Sequence, residues 1–568
     1  MTNAKCRCFR NLALFLGLVT TGGFMSTVRG QVPGAGGFVA EQVKVINQRI
    51  AEKWKENKLT PSKPATDYEF IRRATLDIIG RIATPKEITK FFNDAPQTRR
   101  SQLVDRLLNS DEYDRNWATI WTTWLLTRSG PREYHEQMHL WLEERFSRKD
   151  HAWDKTVLEL LTATGKNSEN GAVNFVLAHL GEPTPADKVG EEGQFNYVPI
   201  TSRTARLFLG MQIQCVQCHD HPFNSILKQK HFWGVNAFFR QVERKGTPAM
   251  QRNMPAANLE LVDNTSWNMN QEGKPAEIFY EKRNGLVLPA KPEYKLPHIP
   301  KEQVKKFAAS EGTRRQQLAD DIIKDEFLAI AFINRMWFHF FGHGMNSPGA
   351  FDDLNGDNQI THPELMKYLA QEFRAYGHNP RELMRWICNS EAYGLSSVAN
   401  KTNDKADTEP FFSRMLLKSM SPEQLFESLM VATEAEAAET KAKKKELREE
   451  WMRKLIVNFG DDEGNEASFN GTVVQALILM NGKEINEAIC QTKKGPIVDA
   501  VKKHGGKNHQ ATMEAIFLAT LNRKPTSKES SEIMVKLRGL RVPDKDPLGP
   551  WEDLLWALIN SNEFILNH

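Results

Sequence analysis

Apolar residues recur every three or four positions along most of the chain, the period of a helix that buries one face. Val43, Ile46, Ile50 and Trp54 mark the first such face, and a second helix is predicted around Asp67 to Ile79. Thr84-Pro85-Lys86-Glu87 then supplies an N-cap, a proline at the first helical position and the glutamate of a capping box. Leu103 to Leu108 and Trp117 to Leu126 continue the rhythm, with Trp117, Trp121 and Trp124 on one stripe of core aromatics.

Between about Arg240 and Pro300 the rhythm breaks into Pro-, Asn- and Gly-rich sequence. The runs Leu259 to Val262 and Gly285 to Leu288 predict short strands there. Helical periodicity returns from Arg314, and Glu434 to Arg453, rich in Ala, Glu and Lys, predicts a solvated helix. The expected fold is mainly α: two helical domains joined by an irregular segment with a little β structure. The expected boundaries are 41–240 for the first domain, 241–312 for the connector and 313–568 for the second.

The start of the chain has a different pattern. Lys5, Arg7 and Arg10 precede a short apolar run, Leu12 to Val19, and Val28-Arg29-Gly30 resembles a cleavage site. Residues 1–30 read as a signal peptide and 31–40 as a linker, so the expected location is exported, periplasmic or extracellular. The run is too short to span a bilayer, and no membrane span is expected after cleavage. The leader carries four basic residues and no acidic ones, so the net charge of +4 falls to zero on its removal. A generally basic, nucleic-acid-binding surface is thereby excluded. Cys215, Cys218, Cys388 and Cys490 are the cysteines left, too few for a disulfide scaffold of this size.

Two of those cysteines carry the strongest chemical signal, Cys215-Val216-Gln217-Cys218-His219. Haem c attachment needs two thiols for the two vinyl groups and an adjacent histidine for iron. Thr201 to Gln214 predicts an amphipathic helix leading to this point, and Pro222 turns the chain out of it. Met211, His231, His339 and His343 are candidates for the sixth iron ligand. Two other chemistries use the same residues. His219 with His221, and His231 nearby, could join the thiols around a zinc or iron ion. Cys215 and Cys218 could instead form a structural disulfide in a non-catalytic secreted scaffold.

Two further motifs compete. His135-Glu136-Gln137-Met138-His139 matches the zinc-hydrolase pattern, in which histidines four apart on a helix hold the ion and Glu136 deprotonates its water. Asp353, Asn355, Asp357 and Glu364 match four ligand positions of a calcium loop. Thr361 to Glu364 also reads as a capping box opening a helix to Phe373, which accounts for Glu364 without calcium.

Leu209 to Phe223 resembles the signature of a planctomycete cytochrome-like domain of unknown function. Phe70 to Asp77, Thr84 to Glu87 and Leu103 to Leu108 are similar to that family's opening helices, whereas 127–200 departs from the pattern. Asn334-Arg335-Met336-Trp337, Phe340-Phe341-Gly342, His362 to Leu365, Gln475 to Leu477 and Leu554 to Phe564 resemble its usual companion domain, also of unknown function. The resemblance implies secretion and a cytochrome-like role, with a redox partner protein. It indicates no substrate and no oligomeric state.

Overall fold

Capping decides where many of the helices begin. The computed structural model describes residues 40–128, 132–188, 192–246, 259–265, 278–346, 351–434 and 508–568. Positions 223, 225, 301, 303, 308–311, 355–359 and 540–547 are excepted, and isolated residues between 446 and 501 are added. The first helices are α1 (Glu41–Glu56), α2 (Asp67–Ile79), α3 (Pro85–Asn93), α4 (Arg99–Leu108) and α5 (Asp111–Leu126). Complete capping boxes open α2, from Thr66 to Glu69, and α3, from Thr84 to Glu87, satisfying backbone donors that have no partner inside the helix. Next come α6 (Arg132–Ser147), α7 (Trp153–Thr162), α8 (Val173–Ala178), α9 (Glu192–Phe195), α10 (Val198–Leu209) and α11 (Gln229–Asn236).

The irregular middle holds most of the strands. Strand β1 (Gly165–Lys166) pairs with β3 (Glu260–Asp263), which also pairs with β2 (Val242–Lys245), all antiparallel. Hairpin β4 (Ile278–Glu281) to β5 (Val287–Ala290) and the pair β6 (Glu293–Tyr294) to β7 (Lys305–Lys306) follow. The second predicted strand therefore starts later than expected. Gly285, at φ +79°, belongs to the hairpin turn, and pairing begins at Val287.

The chain returns to helix with α12 (Arg314–Lys324), α13 (Glu326–Phe341), α14 (Pro363–Ala375), α15 (Pro380–Cys388) and α16 (Pro422–Thr433). It closes with α17 (His509–Thr520), α18 (Ser527–Gly539), α19 (Gly549–Ile559) and α20 (Asn562–Ile565). Strand β8 (Lys418–Ser419) pairs with the terminal β9 (Leu566–Asn567), placing Lys418 opposite Asn567. The fold is mainly α. Helix α14 opens at Pro363, but Thr361 does not cap it. The N-cap is His362, and the Thr361 hydroxyl turns to Met345 O at 3.1 Å.

One apolar core runs from Val43 to Met415 and includes Trp117, Trp121, Trp153 and Trp337. A second gathers Met420, Phe426, Phe517 and Phe564 around Leu76 and Ile82. Every residue of α2 from Phe70 to Ile79 is buried, so this helix serves both cores and carries three buried charges, Arg72, Arg73 and Asp77. Arg72 donates to the carbonyls of Thr520 and Phe564, and Arg73 to that of Tyr393. Residues 39–568 form one unit. Among the described residues, no helix is long and apolar enough to cross a membrane. The expected signal peptide, its linker, most of the Glu434–Arg453 helix and Gln475–Leu477 lie outside the described residues.

Candidate functional site

The Cys-x-x-Cys-His segment is presented by a stem that ends a helix abruptly. Helix α10 stops at Leu209, earlier than the apolar pattern predicts, because Gly210 takes a left-handed C-cap at φ +61°. The left-handed conformation favours glycine, and a Cβ there would lie 2.8 Å from the end of the Leu354 side chain, which would have to shift. Met211 and Ile213 are buried beyond it, and a short 3-10 turn spans Gln214–Gln217. Three residues per turn place positions i and i+3 on one side. Cys215 and Cys218 are accordingly both exposed free thiols, while Val216 is buried.

Hydrogen bonds fix the backbone of the loop and leave these side chains open. Gln217 O accepts from Gln229 Nε2 and from Trp233 Nε1, each at 3.0 Å. The Asp220 carboxylate accepts from Gln229 N at 3.0 Å and pairs with Lys228 at 3.3 Å. The Gln229 N–H bond, helped by Lys228, holds that carboxyl below its ordinary pKa. A segment from the second half of the chain braces the stem. Leu354 N donates to Gly210 O at 2.6 Å, Gln212 Nε2 to Asp352 at 2.7 Å, and Gln212 N to Asp353 Oδ1 at 3.3 Å. Burial, followed by the charge of Asp353, pushes the Cys215 thiol above its ordinary pKa.

The three nearby histidines are not equivalent. His219 Nδ1 lies 2.7 Å from Asp220 O, which can only accept, so Nδ1 carries the proton and Nε2 keeps its lone pair. His221 Nδ1 accepts from Asn224 N at 2.8 Å, and His231 Nδ1 accepts from Lys228 N at 3.1 Å. Burial, then Lys230 and Lys295, lowers His231 to about 4. Both rings thus spend the Nδ1 lone pair on the backbone, and the structure does not assemble His219 and His221 with the thiols as a four-ligand site. Among the described residues, no three His, Cys, Asp or Glu side chains converge as a metal site.

The other sequence candidates are held elsewhere. His135 and His139 lie on α6, as the spacing predicts, with Glu136 half-buried between them. His135 Nε2 lies 2.9 Å from Thr127 O and must donate to it. His139 Nε2 lies 3.1 Å from Thr119 Oγ1, whose own proton goes to Arg115 O, so this nitrogen donates as well. Both Nε2 atoms therefore carry protons, and neither offers a lone pair to zinc. Of the calcium candidates, Asp353 braces the stem, Glu364 is exposed in the first turn of α14, and Asn355 and Asp357 lie outside the described residues. Met211 is in the core, while His339 and His343 donate to Asp77 O and Gly344 O.

A second polar cluster was not anticipated. Asp77 Oδ1 accepts from Lys418 Nζ and Asn567 Nδ2, each at 2.7 Å, and Oδ2 from the Tyr393 hydroxyl at 2.8 Å. Lys418 also donates to His339 O and Phe340 O, closing the end of α13. Cys388 is buried in this region, and burial pushes its thiol well above the ordinary range. The available signal was Asp77 set between the apolar residues Leu76 and Ile78.

Residues 45–244 match the family PSCyt2, described as a protein of unknown function (DUF1549). Residues 314–468 match PSD1, also described as a protein of unknown function (DUF1553). No curated protein and no solved structure matches the chain. The first match runs through 127–200, where the resemblance read from the sequence was weakest. The stem that bears Cys215 and the Asp352–Leu354 segment that braces it fall in different matches, and the chain carries a PSCyt2 domain followed by a PSD1 domain, both of unknown function.

Proposed function

We propose that this is an exported redox protein that carries a c-type haem on Cys215 and Cys218, with His219 as axial ligand. The observation that carries the reading is the His219 tautomer. Its Nδ1–H is held by Asp220 O, the outer bond that fixes ring orientation in a ligating histidine, and its Nε2 lone pair is left for iron. The thiols fit the same group because they are unpaired, exposed and set one 3-10 turn apart. Export is supported by the basic, then apolar, start of the chain.

Each thiol would add across one vinyl C=C, its sulfur to one carbon and its hydrogen to the other, with no oxidant consumed. When bound, the haem supplies one-electron chemistry. The chain orients that group. Gln229 and Trp233 hold the turn through Gln217 O, Asp220 O holds the His219 ring, and Asp353 helps keep Cys215 protonated. Pairing with a redox partner protein follows from the same reading. The zinc-hydrolase reading has less support, because both Nε2 atoms of its histidines donate hydrogen bonds.

The test is a haem stain on a denaturing gel after expression with a c-type maturation system. A stained band that disappears in Cys215→Ala/Cys218→Ala is the expected result. An unstained wild-type band overturns the proposal.

A further inference from the structure

The last stretch of the chain, 508–568, lies beyond both family matches, yet it repeats the opening of the first one. Helices α17 to α20 follow the order and the caps of α2 to α5. Thr66 and Asn508 open α2 and α17 by accepting from Glu69 N and Ala511 N. Gly80 and Asn522, left-handed at φ +76° and +57°, follow those helices. Thr84 and Thr526 accept from Glu87 N and Glu529 N at 3.2 Å to open the second helix of each set. Ser110 and Ser561 accept from Tyr113 N and Phe564 N, also at 3.2 Å, to open the fourth.

One arginine fastens each set. Arg81 Nε and Nη2 donate to Glu112 at 2.7 and 2.6 Å, and Nη1 and Nη2 to Glu87 at 2.9 Å. Arg523 Nε and Nη2 donate to Glu563 at 2.5 and 2.7 Å, and Nη1 and Nη2 to Glu529 at 2.9 and 2.8 Å. In both, Nη1 also donates to the carbonyl of the next residue, Ile82 or Lys524. Caps recur in any helical protein. An arginine that places the same bonds from the same atoms, on partners in the same chain order, marks a shared module.

The two sets meet reciprocally. The turn after α2 pairs with the turn after α17: Ala83 N donates to Asn522 Oδ1 at 3.0 Å, and Asn522 Nδ2 to Ala83 O at 2.7 Å. Leu76 lies in the core built on Phe517 and Phe564, and its counterpart Leu518 packs against the core that holds α2 to α5. Like surface meeting like surface is the geometry of a two-fold pair. Arg72 breaks the symmetry by donating to Thr520 O and Phe564 O, whereas its counterpart Glu514 pairs with Lys524 of its own set.

We infer that 508–568 is a second copy of the helical module at 66–113, and that the module's α2–α3 face is a recognition surface whose partner is another such module, here the one at the end of the same chain. Arg72 fixes which copy takes which place. No haem ligand takes part, so the inference holds whether or not haem is attached.

The test is hydrogen exchange, read by mass spectrometry on the full-length protein. Leu518→Ala should speed exchange about tenfold in α2 and α3, across the interface, as well as in α17. Leu76→Ala should do the converse and speed α17 to α20. Leu518 is only partly buried, which keeps the inference testable if Leu76→Ala fails to fold. Lys524→Ile/Pro525→Ala/Ser527→Pro writes the sequence of 81–87 into 523–529. This graft should leave exchange in α18 and α20 within about twofold of wild type, whereas Arg523→Met should speed both about tenfold. Loosening confined to the helices that carry the substituted leucine, or a graft as damaging as Arg523→Met, would each overturn it.

Discussion

The Cys215 loop and the Asp77 cluster are both dense in reactive side chains, yet they are built on opposite plans. In the loop, hydrogen bonds go to the backbone and to Asp220, and the two thiols stand open. In the cluster, both carboxylate oxygens of Asp77 are taken, and Lys418 spends its donors on one carboxylate and two carbonyls. The first arrangement leaves both thiols exposed and fixes only the backbone that bears them. The second joins α2, α13, β8 and β9, which lie far apart in the chain. Cysteine and histidine occur in both regions, so residue type does not distinguish a site from a brace. Where the hydrogen bonds go does.

The sharpest break between the two regions is Asp77→Ala. Removing the carboxylate leaves Lys418 buried with two carbonyls but no counter-charge, a loss of about 3 to 5 kcal/mol for one half of a buried pair. Urea unfolding should show that loss. Asp77→Leu combined with Lys418→Met should recover much of it, because the cost lies in the stranded charge. A loss under about 1 kcal/mol would mean that water reaches the pair and that the cluster is no brace.

Local structure was legible in the sequence because its causes are local. The α2 limits, the Thr84 capping box and the α6 helix under the His-Glu-x-x-His motif all follow from neighbours within a few residues. The partners of Asp77 lie 316, 341 and 490 positions away, beyond any spacing rule. The same limit explains Thr361, which carries a cap signature but is drawn to Met345 O instead. Spacing found Cys215, Cys218 and His219. It could not show that Asp353, read as a calcium ligand, braces their stem, nor that both motif histidines on α6 spend Nε2 as a donor.

Acid should expose the interior next. Burial, then Arg381, lowers His151 to about 3, and burial, then Lys53, lowers His362 to about 3. In the unfolded chain both take a proton near pH 6.5. Between there and about pH 3 the unfolded state binds more protons, so stability falls as pH falls, with nothing to gain above 6.5. Each ring should cost about 2 kcal/mol by pH 5. Urea midpoints at pH 7.5 and 5 measure the drop, and His151→Gln should remove part of it. An unchanged drop in that variant would show that His151 is hydrated.

Between the two regions in size of effect stands Gly210→Ala, in the stem of the loop. Alanine pays about 1 to 2 kcal/mol for the left-handed conformation, and its Cβ would meet Leu354 at 2.8 Å. The loss should appear as a lower unfolding midpoint. A neutral result would mean that the stem can move away from the Asp352–Leu354 brace, and the loop would then not be rigidly presented.

The smallest expected effect is the most informative about the loop. Cys215 and Cys218 are exposed and unpaired, and the turn that bears them is held through Gln217 O and Val216, neither of which needs a thiol. Cys215→Ala/Cys218→Ala should therefore change the unfolding free energy of haem-free protein by no more than about 0.5 kcal/mol, the range of ordinary surface substitutions. The same pair should lose all covalent haem. That combination, chemistry lost with stability kept, is what separates a site from a brace. If the double variant instead unfolds far more easily without haem, the thiols contribute to folding, and the loop belongs with the Asp77 cluster rather than opposite it.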